Sequence, residues 1–266
     1  MLIAQLSDTH ISAPGHKTCG VADMAANLRR CVDSINNQDP RPDLVLLSGD
    51  VTHSATRIET EHAAEILSAL EVPLFVVPGN HDDRKILAEV FGPMRCPTTQ
   101  TGFMDYVIEG YPLRIIGLDT LNTGQHSGQI SPERLDWLKE QLHTKSDLPV
   151  VLFAHHPPLK LGVPETDQEE FCGAAHLGEL VAAHPNIERF LCGHIHLHTN
   201  TGWHGTIVTT CPSIGMQLTL DLKQRNPSQF LLSEPAYLLH HWTADEVLIT
   251  HPIQLSEMDG PFDFTS

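Results

Sequence analysis

Apolar positions along the chain fall into short runs separated by longer amphipathic stretches. Leu2–Leu6, Leu44–Leu47, Leu74–Val77, Tyr106–Ile108, Leu113–Leu118, Val150–Ala154 and Phe190–Cys192 are mostly apolar, and Thr206–Thr210 is rich in β-branched residues, which predicts strands. Between the early runs, Ala22–Asn36 and Ile58–Leu70 repeat apolar residues at i, i+3 and i+4, the period of a helix with one buried face. Ser131 and Pro132 predict a helix start that runs through Leu138 and Leu142, and Arg84–Phe91 and Leu177–Ala183 read as further helices. Strand–helix–strand order implies parallel strands joined by right-handed crossovers. The middle and later runs lie closer together and imply either antiparallel additions or a second sheet. After Gly215 the pattern changes: Met216–Asp221 reads as a strand, Gln224–Ser228 is polar, and Ala236–Trp242 with Glu246–Pro252 reads as a closing hairpin. The expectation is an α/β chain with its core in residues 1–214 and a smaller segment, 215–266, that completes the same domain and caps it or pairs subunits.

Composition narrows the function. The 266 residues carry 33 Asp and Glu against 16 Lys and Arg, a formal net charge of −17. Binding to nucleic-acid polymers or anionic membranes needs a basic surface, so neither is expected. The six cysteines are scattered with no C-x-x-C pair, which predicts free thiols rather than a disulfide framework. No leader-like segment precedes Leu2 and no apolar run approaches membrane-spanning length, so a reducing cytoplasm is the expected compartment.

Eighteen histidines are unusual, and several of them follow strands. Asp8 and His10 follow the first predicted strand, Gly49-Asp50 the second, and Gly79-Asn80-His81-Asp82 the third. His155-His156 and Gly193-His194-Ile195-His196 follow two later strands. In open α/β sheets the carboxyl ends of strands form the ligand crevice. Residues i and i+2 of an extended segment project to one side, so Asp8 with His10, and His194 with His196, should each serve one site. The glycines before Asp50, Asn80 and His194 suit tight turns and close backbone approach. Two carboxylates, one amide and four imidazoles exceed the needs of one tetrahedral zinc. They suit two divalent ions roughly 3.5–4 Å apart sharing a bridging carboxylate. Mixed oxygen and nitrogen donors without thiolate fit Fe, Mn, Zn or Co better than Ca.

These five blocks, in order from Asp8 to His196, resemble those of the calcineurin-like metallophosphoesterases. The GNHD block, the HHPP run and, more loosely, Glu234–His240 are similar to the class III cyclic nucleotide phosphodiesterase and glycerophosphodiesterase branch. The resemblance implies a four-layer α/β/β/α sandwich. It also implies Asp8, His10 and His196 on one metal, Asn80, His155 and His194 on the other, and Asp50 bridging them. His81 would then lie over the substrate phosphate, with Asn80 and His156 as further substrate contacts. The catalysis so implied is hydrolysis of a small phosphodiester, cyclic nucleotide, glycerophosphodiester or similar, by in-line attack of a metal-bridging hydroxide, assisted by His81 and Asp50. Relatives of this kind often form homodimers or higher homo-oligomers.

Charge favours a diester over a monoester. Two dications offset by two Asp ligands and a hydroxide leave about one positive charge, which matches a diester. The turn after Asp50, Val51-Thr52-His53-Ser54, carries no arginine, and Arg84 is expected to point away along its helix. A phosphomonoesterase and a catalytically silent scaffold of the same fold are the alternatives; a full ligand set together with His81 argues against the scaffold. His16, His53, His126, His176, His204, His240 and His241 read as surface or supporting residues, His198 as a non-ligand, and Asp82 and Asp83 as caps of the following helix. Selectivity is expected from the loops Ser12–Val21 and Leu159–Phe171 and from the C-terminal segment.

Overall fold

Each early apolar run becomes a strand, and each amphipathic stretch a helix. In the computed structural model β1 (Leu2–Leu6) leads to α1 (Met24–Asn37), β2 (Leu44–Ser48) to α2 (Arg57–Leu67), and β3 (Leu74–Val77) to α3 (Arg84–Phe91). The chain continues through β4 (Tyr106–Ile108), β5 (Arg114–Leu118), α4 (Pro132–His143), β6 (Val150–Ala154), α5 (Ala174–Ala182) and β7 (Ile187–Cys192). It ends with β8 (Thr199–Trp203), β9 (Thr206–Thr210), β10 (Met216–Leu218), β11 (Phe230–Leu232), β12 (Ala236–Trp242) and β13 (Leu248–Gln254). The structure describes residues 1–92, 96, 98–99, 101–224, 228–256, 259–260 and 262–264. Most of the polar stretch Gln224–Ser228 therefore lies outside the described residues.

One sheet has the order β13-β12-β1-β2-β3 and the other β4-β5-β6-β7-β9-β8, with β10-β11 a separate pair. β1, β2 and β3 run parallel, as do β5, β6, β7 and β9. The last hairpin adds to the first sheet, β12 lying antiparallel to β1. Strand alternation then sorts the apolar side chains. In β6, Val151 and Phe153 join Ile3, Leu44 and Leu46 between the sheets, whereas Val150, Leu152 and Ala154 pack with Leu138, Leu142 and Leu177 of α4 and α5. Helices α1 to α3 cover the other face of the first sheet. The result is a four-layer α/β/β/α sandwich.

Helix starts obey local chemistry. Asp23, not Ala22, ends the approach to α1, its carboxylate accepting from the Ala26 N–H at 3.0 Å. Thr56 and Glu59 form a reciprocal capping box on α2. Ser131 occupies the N-cap position of α4 without a side-chain hydrogen bond. Asp83 caps α3 by accepting from Ile86, but Asp82 does not cap it. Its buried carboxylate instead accepts from the N–H groups of Gly79, Val51 and Thr52, at 2.9–3.1 Å. The predicted strand Met216–Asp221 ends at Leu218, and β8 and β11 were not expected. β8 reads Thr-Asn-Thr-Gly-Trp and is an edge strand with exposed positions, so it carries no apolar signal. His240 is a supporting residue of another kind than expected: it is fully buried in β12 and hydrogen-bonded to Gln5 and Thr250.

Candidate metal centre

Five strand ends from two sheets meet at one edge. The loops after β1 and β2 are laced together: the N–H groups of Asp8, His10 and Ile11 donate to the carbonyls of Gly49, Asp50 and Val51. The two sheets are tied by the His194 N–H, which donates to both Asp8 carboxylate oxygens at 3.1 and 3.2 Å, and by His155 Nδ1–H, which donates to the Ser48 carbonyl at 2.8 Å.

The donors do not lie on extended backbone as the i, i+2 argument assumed. Asp8, His10, Asp50, His194 and His196 all have positive φ, between 40° and 73°, so each turns its side chain sharply off the strand axis. The consequence is plain at the last block. His194 and His196 face different halves of the site, because two successive left-handed turns replace the alternation of a strand. The glycines behave as expected. Gly49 has φ +89° and a Cβ there would lie 2.6 Å from the His155 ring, while a Cβ on Gly79 would collide with the backbone N and carboxylate of Asp50.

Two clusters result. In the first, ligand atoms of Asp8, His10, Asp50 and His196 lie within 4.8 Å of one another. His10 Nε2 is 3.0 Å from His196 Nε2 and 3.5 Å from Asp50 Oδ2, and His196 Nε2 is 3.4 Å from Asp8 Oδ1. In the second, Asn80 Oδ1 stands 3.0 Å from His155 Nε2 and 3.1 Å from His194 Nδ1. His155 Nε2 is 3.5 Å from Asp50 Oδ1. His156 belongs here too, its ligand atom grouping with those of His155 and His194. Asp50 thus offers one oxygen to each cluster.

The donor set fits divalent cations. His155 Nδ1–H donates to the Ser48 carbonyl at 2.8 Å and His196 Nδ1–H to the Met216 carbonyl at 2.6 Å. Each bond fixes a tautomer that leaves the Nε2 lone pair facing the cluster, as metal-bound histidines require. Nitrogen lone pairs and carboxylates that converge without enough protons to share are poor partners for one another and good ones for a cation. His156 Nε2 is buried without a hydrogen-bond partner among the described residues. Burial alone would raise the Asp50 carboxyl, yet neighbouring His155 and His10 hold it well below its ordinary value. Burial likewise would lower His155, but Asp50 and Asp8 carry it up to about 9.

His81 sits over this edge. Its backbone N–H donates to Asp50 Oδ1 and its Nδ1–H to the His53 carbonyl, both at 2.8 Å, and its ring stands edge-on to His10 with centroids 4.8 Å apart. A cavity of about 560 Å³ opens above Asp50, Asn80, His81, His194 and His196. It is also lined by Glu165 and Glu169, which the sequence did not mark individually, and by His126, read there as a surface or supporting residue and found 3.3 Å from Asn80. Glu169 lies in the loop expected to set selectivity, and its carboxylate is 3.7 Å from His194 Nε2; His126 stands alone in a turn, with no neighbour in sequence to mark it. Arg84 points away as expected, paired with Asp119 at 2.5 and 2.9 Å.

A two-sheet α/β sandwich whose strand ends gather two His/Asp/Asn clusters around one shared carboxylate defines a dinuclear metallohydrolase scaffold. Residues 1–198 match the family model described as calcineurin-like phosphoesterase, and the chain belongs to that family. It is 36% identical over 265 residues to a protein of Arcobacter nitrofigilis named "Probable glycerophosphodiester phosphodiesterase GpdQ", covering 99% of this chain and 97% of that one. It is 26% identical to the 3',5'-cyclic adenosine monophosphate phosphodiesterase CpdA of Escherichia coli, covering 81% and 76% of the two chains. The fold matches the crystal structure of a dimetal phosphatase from Danio rerio with a TM-score of 0.65 at 15% identity, covering 96% of this chain and 99% of that one.

Proposed function

We propose that the chain is a dinuclear-metal-dependent phosphodiesterase acting on small phosphodiesters. The observation that carries this reading is Asp50, whose two carboxylate oxygens each face one donor cluster at 3.5 Å. Asp8, His10 and His196 would hold one divalent ion, Asn80, His155 and His194 the other, with Asp50 between them. Such ions, of the Fe, Mn, Zn or Co class, supply Lewis acidity toward the phosphate and a nucleophile drawn from water near neutral pH.

The chain's own groups do the rest. Because His81 Nδ1 already donates to a carbonyl, its Nε2 is the atom free for substrate. In the imidazolium form Nε2–H can hydrogen-bond a phosphoryl oxygen and then pass its proton to the departing alkoxide. Asn80 borders the same space and would orient the phosphate, whereas His156 does not line the cavity and is buried beside His155 and His194. None of the described residues lining the cavity is Lys or Arg, which favours a singly charged diester over a doubly charged monoester. The similarity to glycerophosphodiester and cyclic-nucleotide phosphodiesterases supports that class.

Residues 1–214 would form the catalytic core and 215–266 a segment that completes it. Exposed Leu220, Leu222, Leu231 and Leu232 around β10–β11 support a homodimer or higher homo-oligomer built on that segment. Among the described residues no helix is long and apolar enough to cross a membrane, and six free thiols support a reducing, cytoplasmic setting.

Hydrolysis of bis(p-nitrophenyl) phosphate with added Mn²⁺, before and after chelation, tests the reading. Metal-dependent turnover is expected, faster than on p-nitrophenyl phosphate. Folded protein with no metal-dependent turnover would establish the silent-scaffold alternative, and faster monoester cleavage the phosphatase. His81→Ala should keep both metals and lose about 10²–10⁴ in kcat; loss of metal from that variant would remove His81 from the phosphate-facing role.

A further inference from the structure

The clustered histidines are not all held in the same way. His155 and His196 present Nε2 to their clusters and fasten Nδ1–H to a backbone carbonyl. His194 is turned the other way round. Its Nδ1 stands 3.1 Å from Asn80 Oδ1 in the second cluster, so Nε2 is the nitrogen that faces away from the donors. What meets that nitrogen is a side chain, the Glu169 carboxylate, 3.7 Å away.

Two further observations single out Glu169. Its Oε2, the oxygen on the His194 side, is buried without a hydrogen-bond partner among the described residues, and a buried acceptor left so costs free energy until a donor reaches it. The loop around it is also built to hold it in place. The Asp167 carboxylate accepts from the N–H groups of Leu161 and Gly162 at 2.8 and 2.9 Å, and the Glu169 N–H donates to the Thr166 carbonyl at 3.0 Å. An imidazole that lends its Nδ1 lone pair to a cation carries its proton on Nε2. In His194 that proton points at Glu169. The Glu169 side chain is 31% exposed and free to adjust, and a shift of about 1 Å brings the pair to the length of a charge-assisted hydrogen bond.

We propose that Glu169 is a positioning residue for the second metal: it accepts the His194 Nε2–H and holds that ring in the tautomer and orientation that aim Nδ1 into the cluster. A carboxylate behind a ligating histidine fixes the ring and raises its basicity. Here the carboxylate comes from the loop 159–171 rather than from a strand end, and Glu169 lines both the metal cavity and a neighbouring cavity of about 640 Å³. Affinity for the second metal is thereby tied to the loop expected to set selectivity. The inference rests on the dinuclear reading of the site and not on the reaction performed there.

The test is zinc binding to chelator-stripped protein by isothermal titration, together with ¹H–¹⁵N spectra of the zinc-loaded, histidine-labelled protein. Glu165 lines the same metal cavity and carries the same charge, so Glu165→Ala controls for loss of a carboxylate as such. Glu169→Ala should weaken one of the two zinc ions at least about tenfold, leave the other unchanged and remove the His194 Nε2–H resonance, which His194→Gln identifies. Glu169→Gln keeps an oxygen that accepts and should restore the resonance and part of the affinity. Glu165→Ala should leave both readouts as in wild type. Equal weakening by Glu165→Ala and Glu169→Ala would assign the effect to cavity charge and overturn the positioning role. So would a Glu169→Ala protein that holds both ions as tightly as wild type, or one that keeps the Nε2–H resonance. Wild-type protein that binds fewer than two zinc ions overturns the dinuclear reading, and the role of Glu169 with it.

Discussion

At the scale of single residues, the site is a set of conformational exceptions. Five donor residues sit in left-handed backbone, a region that costs an L-residue about 1–2 kcal/mol and persists where surrounding contacts enforce it. The interlocked hydrogen bonds between residues 8–11 and 49–51 supply that enforcement. Gly49 is the position where relief is least available, because its φ of +89° and its contact with His155 both exclude a Cβ. Gly49→Ala should displace His155 and weaken the second cluster, lowering affinity for one of two metals by at least about tenfold while the far-ultraviolet dichroism stays native. Metal stoichiometry by equilibrium dialysis checks this; two metals held as tightly as in wild type would show that His155 is not fixed by that contact. Donor identities were legible in the sequence because each follows a strand run. The left-handed turns were not, since Asp and His at such positions carry no signature that distinguishes a turn from a strand's continuation. For that reason spacing alone did not separate His194 from His196, whose side chains lie in different clusters.

At the scale of elements, legibility follows burial. β1, β3, β4 and β6 match their apolar runs residue for residue, because a strand covered on both faces is apolar at nearly every position; β9 and β12 match their predicted bounds although they carry threonines and histidines. β8 and β11 escaped because edge and surface strands need no such run. β12 shows a polar exception inside a buried strand. His240 is fully buried, accepts or donates to Gln5 and Thr250 at 3.0 and 2.9 Å, and burial with nearby Arg189 pushes its pKa down to about 3. The native state therefore refuses a proton that the unfolded chain takes up below about 6.5. The stability this neutral histidine permits is complete above about pH 6.5 and is lost as pH falls toward 3, by up to about 1.4 kcal/mol per pH unit. Urea unfolding of the metal-free protein between pH 7 and pH 5 should show the loss, and His240→Gln should flatten it by about one proton. Parallel pH slopes for the two proteins would place the titration elsewhere.

At the scale of the whole molecule, two features act together that no local pattern contains. The first is the meeting of two sheets: strand runs predict the sheets, but tertiary bonds such as those from His194 to Asp8 and from His155 to Ser48 bring their ends to one edge. The second is charge. Sequence gives a total of −17, and the structure places Glu165 and Glu169 on the cavity wall, where they add to Asp8 and Asp50. Four carboxylates roughly balance two divalent ions, so the cavity offers little net attraction at a distance, and the rest of the surface repels an anionic diester. Repulsion across many ångströms is screened once the Debye length drops to about 8 Å at 0.15 M salt. Contacts within the cavity, at hydrogen-bond range, are screened far less. Raising NaCl from about 10 to about 200 mM should therefore increase kcat/KM for bis(p-nitrophenyl) phosphate a few-fold with kcat unchanged. A zwitterionic diester without net charge should respond much less, because only the net charge feels the distant field. Steady-state kinetics at fixed, saturating Mn²⁺ separate the two. A fall in kcat/KM with salt would mean that the metal pair, not the acidic surface, sets the potential at the cavity mouth, and that substrate is steered in rather than admitted against repulsion.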